Sequence, residues 1–339
     1  MKQNSHMRTI IAITIAFAAL LFASCGNGGS GADAGSSGGG ADDQGGGGSL
    51  RVVATIFPEY DFARAVAQGT DTEVTLLIAP GTSVHSFDPS PQDVKTIQGA
   101  DVFLYVGGES DEWVDRILES VDTGGMQIVR LIDHVKTYGE ELKEGMTPEE
   151  EGEADDEGEG EDETEIDEHV WTSPKNAIVL LDVIAGAMSE ADPQDADAYK
   201  ANAAAYAQEL EAVDAEIEAV VAGGSRKLIV VADKFPLRYF TEDYGLDYAA
   251  AFPGCSDQSD ASAQTIAFLI DTVERDQLPY IYKVELTNGN VADAIAEETG
   301  AEVLELNSCE NITKDDFDSG VTYADLMRRN AEALGKGLA

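Results

Sequence analysis

Cationic side chains are scarce in this 339-residue chain: 21 lysines and arginines stand against 65 aspartates and glutamates, a formal charge of −44. That excludes a protein that grips nucleic acid through clustered Lys and Arg, and it says nothing about fold. Cysteine and histidine are also rare, with three and four residues. No HExxH element is present, so the common helical zinc-hydrolase site is missing. The apolar stretch 9–24 has sixteen residues, short of the roughly 20 that a membrane span requires. What is present in quantity is apolar surface. At 43% hydrophobic the chain can build sizeable cores and is not disordered throughout.

The N-terminus reads as an export signal. Lys2 and Arg8 precede the apolar stretch, which closes on small residues before Cys25. The ending Leu21-Phe22-Ala23-Ser24-Cys25 resembles the bacterial lipobox, which implies lipidation at Cys25 and removal of residues 1–24. Half of residues 26–49 are glycine and the rest are nearly all small or polar, the composition of a flexible tether. His6 is removed with the signal. Outside the cytoplasm the remaining pair, Cys255 and Cys309, is most simply a disulfide; thiolate ligation of a metal is the competing reading.

From residue 50 the pattern is alternating strands and helices. Apolar runs at 51–56, 73–78, 102–106 and 128–131 form one series, and runs at 228–232, 246–250, 280–284 and 303–306 form a second. Helical periods lie between them, at 58–68, 262–275 and 291–299. Such alternation predicts an α/β protein of two lobes, each a mostly parallel sheet flanked by helices. Between the series, 195–222 carries Tyr199, Ala203, Tyr206, Leu210, Val213, Ile217 and Val220 at helical spacing, and Gly223-Gly224 ends it. It reads as one long, rigid linker helix. The expected segments are an N-terminal lobe 50–192, a linker helix 193–223 and a C-terminal lobe 224–339. One tract interrupts the first lobe: 149–168 holds fourteen acids in twenty residues without a base, and should be a disordered, cation-attracting loop.

Two histidines sit where open α/β folds bind ligands, on loops between a strand and a Pro-started helix. One is His85, in PGTSVHSFDPSPQD; the other is His169, in DEHVWTSPKNA. His134 has no such surroundings. The first run is similar to the PGxxxHxFEPTPxD signature, and the second to the DPHxWLSPxNA motif, of the solute-binding lipoproteins that supply zinc or manganese to ABC importers. Gly108-Glu-Ser-Asp-Glu-Trp113 resembles that family's GxxxExW element, and Tyr239-Phe240 with Tyr244-Gly-Leu246 resembles its YF and YGL segment. The resemblance runs from about residue 50 to the C-terminus.

The resemblance implies that His85 and His169 are the N-lobe metal ligands. The third ligand of the family ends the first C-lobe strand. Lys234 falls there without a gap, and a one-residue insertion places Asp233 there instead. The fourth follows the last C-lobe strand, where Asn307 or Glu310 is available. Cys255 and Cys309 lying near the metal is the other arrangement. Two imidazoles with carboxylate oxygen suit Zn²⁺, and a more oxygen-rich set suits Mn²⁺. The resemblance therefore implies a lipid-anchored, monomeric, extracytoplasmic receptor. It would capture zinc, or alternatively manganese, between two lobes and pass it to an ABC permease. A metal-dependent surface adhesin is the second reading, and catalysis is not expected.

Overall fold

The computed structural model describes residues 49–82, 84, 87–146, 165–256 and 260–339. The signal, the tether, Cys25, His85 and positions 149–164 of the acidic tract lie outside the described residues.

Strand β1 (Arg51–Ala54) is apolar on both faces, as a strand covered by helices on each side must be. Helix α1 (Phe57–Val66) begins with Pro58 in its first turn, then come β2 (Glu73–Leu76) and α2 (Pro91–Gln98). A capping box of Ser90 and Asp93 starts α2. Strand β3 (Val102–Tyr105), α3 (Glu112–Leu118), β4 (Gln127–Arg130) and α4 (Pro174–Ala191) complete the first half. Its sheet has the order β2-β1-β3-β4, all parallel. After α5 (Ala196–Gly223) come β5 (Leu228–Lys234), α6 (Arg238–Tyr244), β6 (Asp247–Phe252) and α7 (Ala263–Asp276). Strand β7 (Tyr280–Val284), α8 (Asn290–Thr299), β8 (Glu302–Leu306), α9 (Lys314–Ser319) and α10 (Tyr323–Gly337) follow. The second sheet, β6-β5-β7-β8, is also parallel and repeats the topology of the first.

Each sheet reverses its strand order once, between β1 and β3 and between β5 and β7. Loops diverge there at the carboxyl ends of the strands and leave a crevice. The two-lobe α/β expectation is met.

The 28 residues of α5 span about 42 Å at 1.5 Å per residue. Its buried stripe is Tyr199, Ala203, Tyr206, Leu210, Val213, Ile217 and Val221, so the last turn buries Val221 and not the expected Val220. A 3.6-residue period lets either position face inward, and packing decides. Asp61 ties three helices together: it accepts from the Tyr206 hydroxyl (2.6 Å) on α5 and the Tyr323 amide (2.8 Å) on α10, and pairs with Arg64 on α1.

The end of the acidic tract differs from the expected disordered loop. Gly139 and Ile166 form a bridge, and the Asp167 amide donates to the Tyr138 carbonyl. Asp167 and Glu168 are buried. Local composition favours a solvated coil, but these last residues have fixed partners in the fold, and that outweighs it.

Candidate metal centre

His169 is fully buried at the turn that leads into α4. Asp167 Oδ1 lies 2.9 Å from the imidazole Nδ1 and also accepts from the His169 amide (2.9 Å). A carboxylate on one ring nitrogen fixes the ring and leaves the other, Nε2, to face a ligand. Nε2 lies 3.7 Å from Glu310 Oε1, and Glu310 Oε2 lies 3.8 Å from Lys234 Nζ. Burial alone would lower the pKa of His169, but Asp167, Cys255 and Glu310 together raise it well above the usual imidazole value.

The C-terminal lobe holds this turn in place. The Tyr239 hydroxyl donates to the Asp167 carbonyl (2.6 Å), Trp171 Nε1 to the Ser308 carbonyl (2.8 Å), and the Tyr323 hydroxyl to the Trp171 carbonyl (2.7 Å). Glu168 turns the opposite way and accepts from the Ser110 amide (3.1 Å). Gly108, at φ +109°, makes room for it: a Cβ there would stand 2.5 Å from Glu168 Oε2.

A cleft of about 430 Å³ opens above Glu310. Gly81 and Thr82 contribute from the first lobe, and Asp233, Lys234, Ser256, Glu285 and Asn311 from the second. Asn311 clips the lobes together here, accepting from the Gly81 amide (3.2 Å) and donating to the Ala79 carbonyl (3.3 Å). Glu285, just beyond β7, accepts from the Ser308 amide (2.7 Å) and hydroxyl (2.6 Å). Burial pushes its pKa up to about 7, against the Ser308 hydrogen bonds and with the repulsion of Glu310. Further in, Asp111 and Glu59 are buried carboxyls, displaced upward to about 6 and about 8 chiefly by desolvation.

The residues expected from sequence fare unequally. His169 and Glu310 are brought together. Asp233 lines the cleft, with Oδ1 accepting from the Lys234 amide (2.9 Å). Asn307 is turned away: its amide and side chain both bond Asn330 on α10 (2.7 and 3.1 Å). It serves helix docking, not ligation, because the chain turns inward before reaching the cleft at Ser308. The expected disulfide is also corrected. Both cysteines are free thiols. Cys255 is half-buried and hydrogen-bonds His169, while Cys309, at φ +61°, lies in the core with Sγ 3.9 Å from the Asn307 carbonyl. Burial pushes the Cys255 thiol up to about 12 and holds the Cys309 thiol well above the usual thiol range. Sequence reasoning missed Glu285, although an acid directly after a C-lobe strand was a usable signal. Among the described residues no group of three or more His, Cys, Asp and Glu side chains is gathered as a closed ligand set.

The donors at this cleft and directly beneath it are carboxylate oxygen, imidazole nitrogen and one thiol, a set that suits zinc. Residues 52–337 match the family model described as zinc-uptake complex component A, periplasmic. The chain belongs to this family. It is 32% identical over 285 residues to the zinc-binding lipoprotein AdcA of Streptococcus pneumoniae, covering 84% of this chain but about half (55%) of that relative. It is 31% identical over 324 residues to the high-affinity zinc uptake system protein ZnuA of Bacillus subtilis, covering 96% of each. The Zn(II)-bound ZnuA-like domain of S. pneumoniae AdcA superposes with a TM-score of 0.70 at 29% identity, covering 86% of this chain and 99% of that domain. The similarity extends to the two-lobe architecture. Among the described residues no helix is long and apolar enough to cross a membrane.

Proposed function

We propose that this chain captures Zn²⁺ outside the cytoplasm, in the cleft between its lobes, and delivers it to the permease of an ABC importer. The observation that carries this reading is His169: fully buried, fixed through Nδ1 by Asp167, with Nε2 facing the cleft carboxylate Glu310. An imidazole so oriented is built to ligate, and carboxylates supply the hard oxygen and negative charge that a dication requires. His85, on the motif that resembles the family's first histidine element, is the second imidazole of this reading, and Glu285 and Asp233 are further carboxylates lining the same cleft as Glu310. The signal-like segment, Cys25 and the glycine-rich tether support a lipid-anchored protein at the outer face of the membrane, acting in this reading as a monomer. The zinc-binding relatives support zinc ahead of manganese. Elemental analysis and calorimetry of the mature protein with Zn²⁺ and Mn²⁺ test the reading. Tight stoichiometric zinc binding that weakens greatly in His169→Ala supports it, and zinc binding unaffected by that substitution refutes it.

A further inference from the structure

Lysine and arginine are scarce in this chain, yet one of them stands inside the cleft. Lys234 ends β5, and its pairing with β6 is irregular: Val231 opposes Ala250 and Lys234 opposes Phe252, so three steps along β5 match two along β6. An extra residue of this kind re-aims the side chains at a strand end. Side chains of consecutive residues in a regular strand point to opposite faces, whereas here Asp233 and Lys234 both line the cleft. Asp233 is folded back on the Lys234 amide. The Lys234 ammonium instead reaches Glu310, whose other oxygen faces His169, and the Lys234 and Glu310 side chains are only 17% and 12% exposed. His169 does not reach the cleft surface, so the Lys234–Glu310 pair forms the floor above it.

We propose that Lys234 is a tethered cation that holds the metal's place on Glu310, so that zinc enters by displacing the ammonium and the lysine sets both affinity and ease of release. This rests on the zinc reading above. The physical reason is that the single negative charge of one carboxylate cannot serve an ammonium and a dication at full strength. An ammonium confined beside a bound dication repels it, the more so away from bulk water. Lys234 shares a cleft of about 430 Å³ with Asp233, Glu285 and Ser256, so the side chain has somewhere to go. A receptor must also surrender its metal, and a cation that returns to Glu310 as zinc leaves opposes rebinding.

The test is zinc affinity and dissociation rate of the mature protein, by competition with a fluorescent chelator, for wild type, Lys234→Gln, Lys234→Met and His169→Ala. Methionine keeps most of the aliphatic stem, so packing loss does not mask the charge effect. Removing the ammonium is expected to tighten zinc binding by about tenfold or more and to slow release. Acylation of Lys234, followed by mass spectrometry, should rise when zinc is added to wild type. Unchanged or weaker affinity in both folded Lys234 variants overturns the inference. If His169→Ala has meanwhile lost zinc, the functional reading survives that result. A wild type that binds no zinc beside a Lys234 variant that does supports the inference, and no binding by any of these proteins overturns both readings.

Discussion

His169 is useful only if its Nε2 faces Glu310, and the Asp167 carboxylate on Nδ1 is what holds the ring that way. Asp167→Asn retains the size and one acceptor but removes the charge, and should weaken zinc binding by about 10–100-fold with little change in melting temperature. A calorimetric titration beside a melting curve checks this; full affinity would mean the ring is oriented by packing alone. Glu59 makes a different point, because it touches no ligand. Its Oε2 accepts from the Thr55 amide and hydroxyl and from the Ile56 amide, and burial raises its pKa from 4.5 to about 8. Between those values the folded protein holds a proton that the unfolded chain has released. Stability therefore falls as pH rises through that window, by on the order of a few kcal/mol. Glu59→Gln keeps an acceptor and cannot ionise, so it should flatten the fall. Urea melts from about pH 5 to about pH 9 measure it, and an unchanged slope would place the titration elsewhere.

At the scale of elements, Asp61 is the knot between α1, α5 and α10, with Tyr206, Tyr323 and Arg64 all bonded to one carboxylate. Asp61→Ala leaves a buried hydroxyl and amide without acceptors and should cost about 2–4 kcal/mol. A denaturant midpoint that hardly moves would show that α5 is held by its apolar stripe alone. The elements themselves were mostly legible in the sequence. The strands of these sheets are short apolar runs closed by Gly, Pro or Asp, and α5 shows its buried stripe in its own spacing. What was not legible depends on long-range contact. Asp167 and Glu168 close an acidic tract and read as coil, yet the Tyr239 hydroxyl and the Ser110 amide order them. Glu285 looked like any other of the 65 acids until β7 and β8 brought it against Ser308. Lys234 was visible as a misfit, but its partner Glu310 lies on another strand's loop. The cysteines were paired by counting, whereas the backbone at Cys309 turns one thiol into the core.

For the whole molecule the leading feature is charge. Positions 149–164 carry eleven acids and no base, close in sequence to the ordered His169 turn. Deleting these positions, while keeping Asp167 and Glu168 for the contacts they make, should leave equilibrium zinc affinity nearly unchanged. It should slow association at low salt, and the difference should shrink as the Debye length falls to about 10 Å near 0.1 M. Stopped-flow association at two ionic strengths decides it: equal rates at low salt would rule out steering, and a large loss of affinity would mean that the tract supplies a ligand. In the function proposed here, a zinc ion sits against His169 Nε2. Anomalous diffraction at the zinc edge from crystals of the zinc-loaded protein tests that claim most directly. One strong peak is expected about 2.0–2.1 Å from Nε2, with Glu310 no longer held by Lys234; a peak elsewhere, with the His169–Glu310–Lys234 contacts intact, would contradict it.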